Sequence, residues 1–215
     1  MSNDYLTIAL PKGRLLEQVT AFFAKYDITI KEESRKLDYY DEKNKLRFLF
    51  VKNSDVPVYV NYGVAALGIS GSDVVYESGF EFLKLGILPF GTTRICLAGF
   101  EKDKDLYFKA YSTGSFVKEI KIATKFGKFT TTYFNEKDIP VQIIKLTGSI
   151  ELAPILGLSD FIVDLVETGT TLKENNLSVI EELGKTQVEI IANPSLYKLD
   201  YKKIDNIVTI IENMK

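Results

Sequence analysis

Short apolar segments alternate with amphipathic segments along this chain, and this alternation constrains its fold more than any other feature. The first apolar run covers residues 6–10, and the apolar side chains that follow recur at the spacing of one helix face. They are Leu15, Leu16, Val19, Phe22 and Phe23. Strands that alternate with helices usually form parallel sheets covered by those helices. The sequence therefore predicts an α/β fold with mostly parallel sheets.

The segment of residues 161–172 contains the most informative loop. It begins as an apolar, β-branched run around Asp164, breaks at Glu-Thr-Gly-Thr-Thr, and continues with the composition of a short helix. A strand that enters a helix through such a loop offers backbone N–H groups, and threonine hydroxyls add further donors for an anion. The loop residues are Glu167, Thr168, Gly169, Thr170 and Thr171.

The two acids of this segment, Asp164 and Glu167, do not bind phosphate themselves. They suit ribose hydroxyls or a bridging Mg²⁺. The segment therefore predicts a sugar-phosphate site. An ordinary β–α turn, with Thr170 or Thr171 as the helix cap, explains the same residues.

A second loop, Lys12-Gly13-Arg14, puts two cations between the first strand and the first helix. Open α/β sheets bind ligands at the carboxyl ends of their strands, so this loop predicts an anion site. A solvated basic turn is the alternative interpretation.

Arginine is scarce in this chain, which has 27 basic residues in all. The arginines are Arg14, Arg35, Arg47 and Arg94. A lysine-rich chain is expected to keep arginine where its planar fork makes bidentate contacts with phosphate or carboxylate. We assign that role to Arg14 and Arg35, and four scattered surface arginines are the alternative.

A glycine-rich segment follows the predicted strand of residues 66–69. Gly71, Ser72 and Asp73 lie between this strand and the next helix, where the backbone can approach a ligand closely. A plain N-capped turn accounts for the same residues.

Composition excludes several kinds of chemistry. The chain has no histidine, which excludes Ser-His, Cys-His and His-metal sites. A net charge of −2 gives no support for nucleic-acid binding. The N-terminal residues do not resemble a signal peptide, and no apolar run approaches the length of a membrane span.

The single cysteine, Cys96, lies in an apolar run and predicts a buried structural thiol in a cytoplasmic protein.

Two domains are expected. Residues 86–91 are loop-like and mark a boundary, while residues 177–183 and 187–192 are predicted strands joined at Gly184-Lys185. These strands and a final helix suggest that the chain returns to its first domain. We therefore predict one domain of residues 1–90 plus 177–215 and a second of residues 91–176, with ligand bound between two lobes.

Four segments of the chain form a pattern when they are taken together. They are Leu10-Pro-Lys-Gly-Arg-Leu15, Leu67-Gly-Ile-Ser-Gly-Ser-Asp73, Gly148-Ser-Ile-Glu-Leu-Ala-Pro154 and Asp164-Leu-Val-Glu-Thr-Gly-Thr-Thr-Leu172. As a set they resemble one known family, ATP phosphoribosyltransferase, the first enzyme of histidine biosynthesis. The resemblance extends from residue 6 to about residue 193, in the order and spacing of the family. One departure is Ala66, which stands where the family usually carries an aspartate.

The resemblance implies two α/β lobes like those of type II periplasmic binding proteins, with the active site in the interlobe cleft. The implied reaction joins N1 of the ATP adenine to C1 of phosphoribosyl pyrophosphate and releases pyrophosphate, with Mg²⁺ bridging the substrate rather than held in a protein cage. The 215-residue length resembles the short, catalytic form of the family. That form implies a partner similar to histidyl-tRNA synthetase, in a hetero-octamer.

The resemblance also implies roles for the loops described above. Residues 167–171 would hold the 5-phosphate, with Asp164 and Glu167 near the ribose. The catalytic cations facing the pyrophosphate and the ATP phosphates would be Lys12, Arg14 and Arg35. The nucleotide would lie near Gly13, Gly71, Ser72, Asp73 and Glu151. A two-lobed cytosolic binding protein without catalysis, or a phosphoribosyltransferase for another base, remains as an alternative.

Overall fold

The computed structural model describes residues 4–33, 36–113 and 119–212. They form two compact units. Unit 1 comprises the described residues of Met1–Thr92 and Gln187–Lys215, and unit 2 comprises those of Thr93–Thr186. In this part of the chain, no helix is both long enough and apolar enough to cross a membrane.

The strands are, in chain order, β1 (Leu6–Pro11), β2 (Asp38–Asp41), β3 (Leu46–Val51), β4 (Leu67–Gly71), β5 (Leu83–Ile87), β6 (Thr93–Gly99), β7 (Ile120–Thr124), β8 (Val141–Lys145), β9 (Phe161–Val166), β10 (Ser178–Thr186) and β11 (Val188–Ala192). The helices are α1 (Arg14–Ala24), α2 (Val56–Asn61), α3 (Ser72–Ser78), α4 (Lys104–Thr113), α5 (Gly127–Asn135), α6 (Leu152–Ile155), α7 (Thr170–Glu174), α8 (Pro194–Leu199) and α9 (Tyr201–Glu212).

Unit 1 is built on a six-stranded sheet in the order β2-β3-β1-β4-β11-β5. β1 is parallel to both β3 and β4, so the carboxyl ends of these three strands share one edge of the sheet. Helix α1 buries the predicted face, including Val19 and Phe23, against Leu10 and Phe48 of the sheet. The predicted helix face is confirmed. This packing fixes the loop that joins β1 to α1 at the carboxyl edge.

Unit 2 is built on a five-stranded sheet in the order β10-β6-β9-β7-β8. β9 lies at its centre, parallel to β7 and antiparallel to β6. Its side chains point alternately into two apolar clusters, with Phe161 and Val163 in one and Ile162 in the other. A strand covered on both faces has to be apolar throughout, which explains the continuous apolar run in the sequence. The buried strand predicted here is confirmed.

The predicted α/β class is confirmed, but the sheets are mixed rather than mostly parallel. β2, β5, β6, β10 and β11 each have antiparallel partners. β6 and β10 form a long antiparallel pair in unit 2, and β11 inserts antiparallel between β4 and β5 in unit 1. Apart from β2, these strands lie where the chain leaves unit 1 and where it comes back.

The structure corrects both predicted boundaries of the second domain, because unit 2 begins at Thr93 rather than at residue 91 and ends at Thr186 rather than at residue 176. Residues 177–186, which the sequence analysis assigned to the first domain, lie in unit 2 because β10 pairs with β6 along its whole length. Gly184-Lys185 does not form a turn. It continues β10 past an irregularity between Glu182 and Gly184, so the chain returns to unit 1 only at Gln187.

Candidate active site

The β9–α7 loop of unit 2 brings its threonine hydroxyls together. Gly169 adopts φ +76° and ψ 9°, a left-handed conformation that turns the chain from β9 into α7. The Thr168 and Thr170 Oγ1 atoms lie 3.0 Å apart, and the Thr170 backbone N–H donates to Thr168 Oγ1 at 3.4 Å. A Cβ on Gly169 would meet only Val166 Cγ1, at 3.8 Å. The loop thus favours glycine for its left-handed backbone conformation and not for lack of space.

This loop forms most of the wall of a pocket of about 300 Å³ within unit 2. Every residue from 164 to 172 lines the pocket, together with Glu151 and with Thr93, Cys96 and Ala98 of β6. The structure therefore brings together all the residues predicted for phosphoribosyl pyrophosphate. It also adds Glu151, which the sequence analysis had assigned to the nucleotide.

Of the two acids predicted to contact phosphoribosyl pyrophosphate, Asp164 is the more buried, with a side chain 20% exposed, while Glu167 is exposed. Its Oδ1 atom accepts from the Leu165 backbone N–H at 2.8 Å and lies 3.1 Å from Lys125 Nζ. No role was predicted for Lys125 from the sequence. The available signal was its position directly after β7, because a residue that follows a parallel strand reaches the same edge as the neighbouring strand's end.

Cys96 lies under the pocket, opposite Asp164 in the β6–β9 pair. It is fully buried, which confirms the predicted buried thiol. Burial raises the pKa of the thiol, the charge of Glu182 acts in the same direction, and Arg94 opposes both. A thiol with a raised pKa is a poor nucleophile at neutral pH, and Cys96 forms part of the lining of the pocket.

In unit 1 the β1–α1 loop presents two exposed cations. The Lys12 N–H donates to the Val51 carbonyl at 2.9 Å and continues the β1–β3 ladder, after which Arg14 begins α1. Between them Gly13 has φ +87° and ψ −155°, a conformation that is essentially restricted to glycine. The Lys12 and Arg14 side chains thus lie on the two sides of a fixed turn at the carboxyl edge of the sheet.

The β4–α3 loop ends at the same edge of unit 1, since β4 is parallel to β1. Gly71 has ordinary extended geometry, with φ −66° and ψ 142°. The Ser72 N–H donates to the Gln187 carbonyl at 2.7 Å, and Ser72 Oγ accepts from the Gln187 N–H at 3.1 Å. Asp73 is buried. Ser72 therefore holds the start of β11 in place, a structural contact that the sequence analysis did not anticipate.

Of the three arginines that the structure describes, Arg47 and Arg94 each pair with an acidic side chain. Both Nε and Nη2 of Arg47 bond Asp38 Oδ2, at 3.1 and 2.7 Å, and the Arg94 guanidinium lies 3.6 Å from Glu182. These contacts join neighbouring strands. Arg14 lies on the predicted anion loop, while Arg35 lies outside the described residues.

Solved structures with a similar architecture include the periplasmic aliphatic sulphonate binding protein SsuA from Escherichia coli. The TM-score is 0.63 at 14% identity, and the match covers 98% of this chain and 72% of that one. A likeness at this identity concerns the fold alone. It defines the class of protein as one with the two-domain α/β fold of periplasmic binding proteins.

Sequence comparisons define the family. A family model described as ATP phosphoribosyltransferase matches residues 52–213. The ATP phosphoribosyltransferase of Clostridioides difficile is 41% identical over 213 residues, which cover 98% of this chain and 99% of that protein. The ATP phosphoribosyl transferase (HisG:HisZ) complex from Thermotoga maritima contains a chain with TM-score 0.79 and 35% identity, with 97% of each chain covered. This chain belongs to the ATP phosphoribosyltransferase family, and the resemblance noted in its motifs is confirmed.

Proposed function

We infer that this chain catalyses the transfer of a 5-phosphoribosyl group from phosphoribosyl pyrophosphate to N1 of ATP, the first step of histidine biosynthesis. Its membership of the family supports this inference along nearly the whole chain. The structural observation that carries it is the pocket in unit 2, which the β9–α7 loop lines from Asp164 to Leu172.

We propose that the β9–α7 loop binds the part of the substrate that stays in the product. The paired hydroxyls of Thr168 and Thr170, 3.0 Å apart, are donors for the 5-phosphate, and the N–H groups around Gly169 add to them. The carboxylates of Asp164 and Glu167 accept hydrogen bonds from ribose hydroxyls. Donors for the phosphate and acceptors for the ribose thus occur in one continuous segment of nine residues lining the pocket.

We propose that the cations Lys12, Arg14 and Arg35 act on the leaving pyrophosphate and the ATP phosphates. As the C1–O bond breaks, positive charge develops on the ribose and negative charge on the pyrophosphate, which moves away with the bonding electron pair. Fixed cations that meet this developing charge lower the barrier. The turn at Gly13 supports the proposal for Lys12 and Arg14, because it holds the backbone between them in one conformation.

The reaction requires no strong base from the protein. Adenine N1 carries a lone pair at neutral pH and attacks C1 directly, so a chain without histidine has the groups that it needs. Positioning of the two substrates and neutralisation of the leaving group supply the catalysis.

Mg²⁺ fits the donor set of the pocket, where Asp164 and Glu167 provide hard oxygen atoms next to the proposed ribose position. When bound to phosphoribosyl pyrophosphate, Mg²⁺ would neutralise part of the charge on the leaving group. We propose that it arrives with the substrate. The residues that would contact it are these two carboxylates.

We further propose that the chain works in the cytoplasm with a HisZ-like regulatory subunit, similar to histidyl-tRNA synthetase, in a hetero-octamer. The structural neighbour from Thermotoga maritima, which was solved as a HisG:HisZ complex, supports this proposal.

The direct test mixes the purified chain with ATP, phosphoribosyl pyrophosphate and Mg²⁺, with and without a HisZ-like partner, and follows pyrophosphate and the nucleotide adduct. We expect N1-(5-phosphoribosyl)-ATP to accumulate in equal amount with pyrophosphate. Binding of either ligand without adduct in both mixtures would contradict the proposal and favour a binding protein without catalysis. Adduct formation with another base in place of ATP would favour a different phosphoribosyltransferase.

A further inference from the structure

We propose that Lys125 is a positioning residue for the ribose of phosphoribosyl pyrophosphate and acts through Asp164. In this role its ammonium group fixes one oxygen of the Asp164 carboxylate and leaves the other oxygen for a ribose hydroxyl. The inference rests on the proposed function, because it concerns how that same pocket holds its substrate.

The strand register brings Lys125 to this position. β7 is parallel to β9, and Thr124, the last residue of β7, pairs with Val163. The next residues along the two strands are Lys125 and Asp164, so both lie at the same step of the carboxyl edge. Lys125 Nζ lies 3.1 Å from Asp164 Oδ1.

The backbone on either side of Lys125 is held by hydrogen bonds of the Thr124 hydroxyl. Thr124 is fully buried, and its hydroxyl donates to the Val163 carbonyl at 2.7 Å and accepts from the Phe126 N–H at 2.9 Å. Lys125 lies between these two bonded residues. The Lys125 ammonium also lies 4.9 Å from the centre of the buried Phe126 ring, a distance that suits a cation–π contact. These contacts restrict the positions that the lysine can take.

Among the residues that the structure describes, two groups contact Asp164, and both engage Oδ1. The Leu165 N–H donates to it at 2.8 Å, and Lys125 approaches the same atom. A carboxylate held through one oxygen has a defined plane, and its second oxygen keeps its acceptor capacity. Since Asp164 lines the pocket, that capacity serves a ribose hydroxyl.

Charge provides a second reason for a lysine at this position. Glu151, Asp164 and Glu167 all line the pocket, and the proposed substrate carries several negative charges of its own. Lys125 neutralises one carboxylate without occupying the pocket wall. The lysine side chain is 42% exposed, so the ion pair contributes little to folding stability and its removal leaves the chain folded.

The test compares Lys125→Met and Lys125→Arg with Lys121→Met, which removes an exposed lysine from β7, the strand that precedes Lys125. We expect Lys125→Met to raise the KM for phosphoribosyl pyrophosphate and the Kd for ribose 5-phosphate by roughly tenfold, as for the loss of one charge-assisted contact. The KM for ATP and the thermal midpoint should not change. Lys125→Arg should restore most of the affinity, and Lys121→Met should behave as wild type.

A double-mutant cycle with Asp164→Asn tests whether Lys125 acts through Asp164. We expect Lys125→Met to have little further effect once Asp164 has been replaced. Full additivity, or a Lys125→Met variant indistinguishable from Lys121→Met in ribose 5-phosphate affinity, would overturn the proposal. If the wild type and the variants bind ribose 5-phosphate with the expected affinities but the wild type forms no adduct, the proposed function is wrong and the role of Lys125 is retained.

Discussion

The β1–α1 loop of unit 1 and the β9–α7 loop of unit 2 follow a similar backbone path but present different side chains. Each follows a buried strand at its carboxyl end, turns at a glycine with positive φ, and enters a helix. The first presents Lys12 and Arg14. The second presents carboxylates and threonine hydroxyls around Gly169.

We propose that this difference adapts one fold element to two kinds of anion. Hydroxyl and N–H donors suit a phosphate that must stay bound without strong charge neutralisation, while full positive charges suit a group on which negative charge grows. In the proposed reaction the 5-phosphate stays with the product and the pyrophosphate departs. We therefore propose that the β9–α7 loop retains the 5-phosphate and that the β1–α1 loop stabilises the departing pyrophosphate.

The largest effect is expected from Arg14→Ala. Loss of a group that meets charge in the transition state should lower kcat by about 10²-fold or more, at least as strongly as it raises the KM for phosphoribosyl pyrophosphate. Steady-state kinetics with both substrates measures this change. Arg47→Ala is the matched control, because its guanidinium is bonded to Asp38, and it should leave kcat unchanged. An Arg14→Ala enzyme with normal kcat and only a weaker KM would assign Arg14 to uniform binding.

The two loop glycines should respond differently to substitution. Gly13 has a conformation that other residues hardly adopt, so Gly13→Ala should cost up to about 3 kcal/mol of unfolding free energy or distort the loop. Gly169 is left-handed, where alanine costs roughly 1 kcal/mol and asparagine less. Urea unfolding of the alanine and asparagine variants at both positions measures the difference. If asparagine retains as much unfolding free energy at position 13 as it does at position 169, this interpretation is wrong.

Thr168→Val should weaken binding of the 5-phosphate without affecting the departure of pyrophosphate. It removes the hydroxyl that contacts both Thr170 Oγ1 and the Thr170 N–H, and we expect roughly a tenfold higher KM for phosphoribosyl pyrophosphate with a smaller change in kcat. Thr209→Val, at an exposed position on α9, is the control and should change neither parameter. A kcat loss as large as that of Arg14→Ala would remove the distinction between the two loops.

The smallest effect concerns acid sensitivity in unit 1. Burial by itself would raise the pKa of Asp41, but hydrogen bonds from Asn44 and from the Thr29 N–H outweigh it and lower the pKa. A lowered pKa in the folded state gives stability that is present above the unfolded pKa of about 3.9 and is lost as the pH falls through the folded value.

Asp41→Asn should therefore flatten the decline in stability below about pH 4, since the amide does not titrate. Urea unfolding of wild type and variant at pH 6 and at acid pH measures the difference. Identical pH profiles for the two proteins would show that Asp41 contributes nothing to the acid response of unit 1.

The parts of the fold with a local signal were predictable from the sequence. The apolar run of β9 and the spacing of α1 each follow from burial along one element, and the β9–α7 loop carries its glycine and hydroxyls in one segment. Contacts set by strand register were not predictable. Lys125 meets Asp164 only because β7 and β9 are parallel neighbours, and Ser72 bonds Gln187, 115 residues away.

The boundary of unit 2 was missed for a related reason. Gly184-Lys185 has the composition of a turn, yet the antiparallel partner β6 keeps both residues in an irregular but continuous strand. Tertiary pairing thus outweighs local propensity there.

We propose that one loop retains the 5-phosphate and the other stabilises the departing pyrophosphate. Calorimetric titration of two product-like ligands tests this proposal most directly. Ribose 5-phosphate and Mg²⁺-pyrophosphate would be titrated separately into wild type, Thr168→Val and Arg14→Ala. We predict that Thr168→Val weakens ribose 5-phosphate alone and Arg14→Ala weakens pyrophosphate alone, each by roughly tenfold or more. Equal weakening of both ligands by either variant, or the reverse pattern, would contradict this assignment.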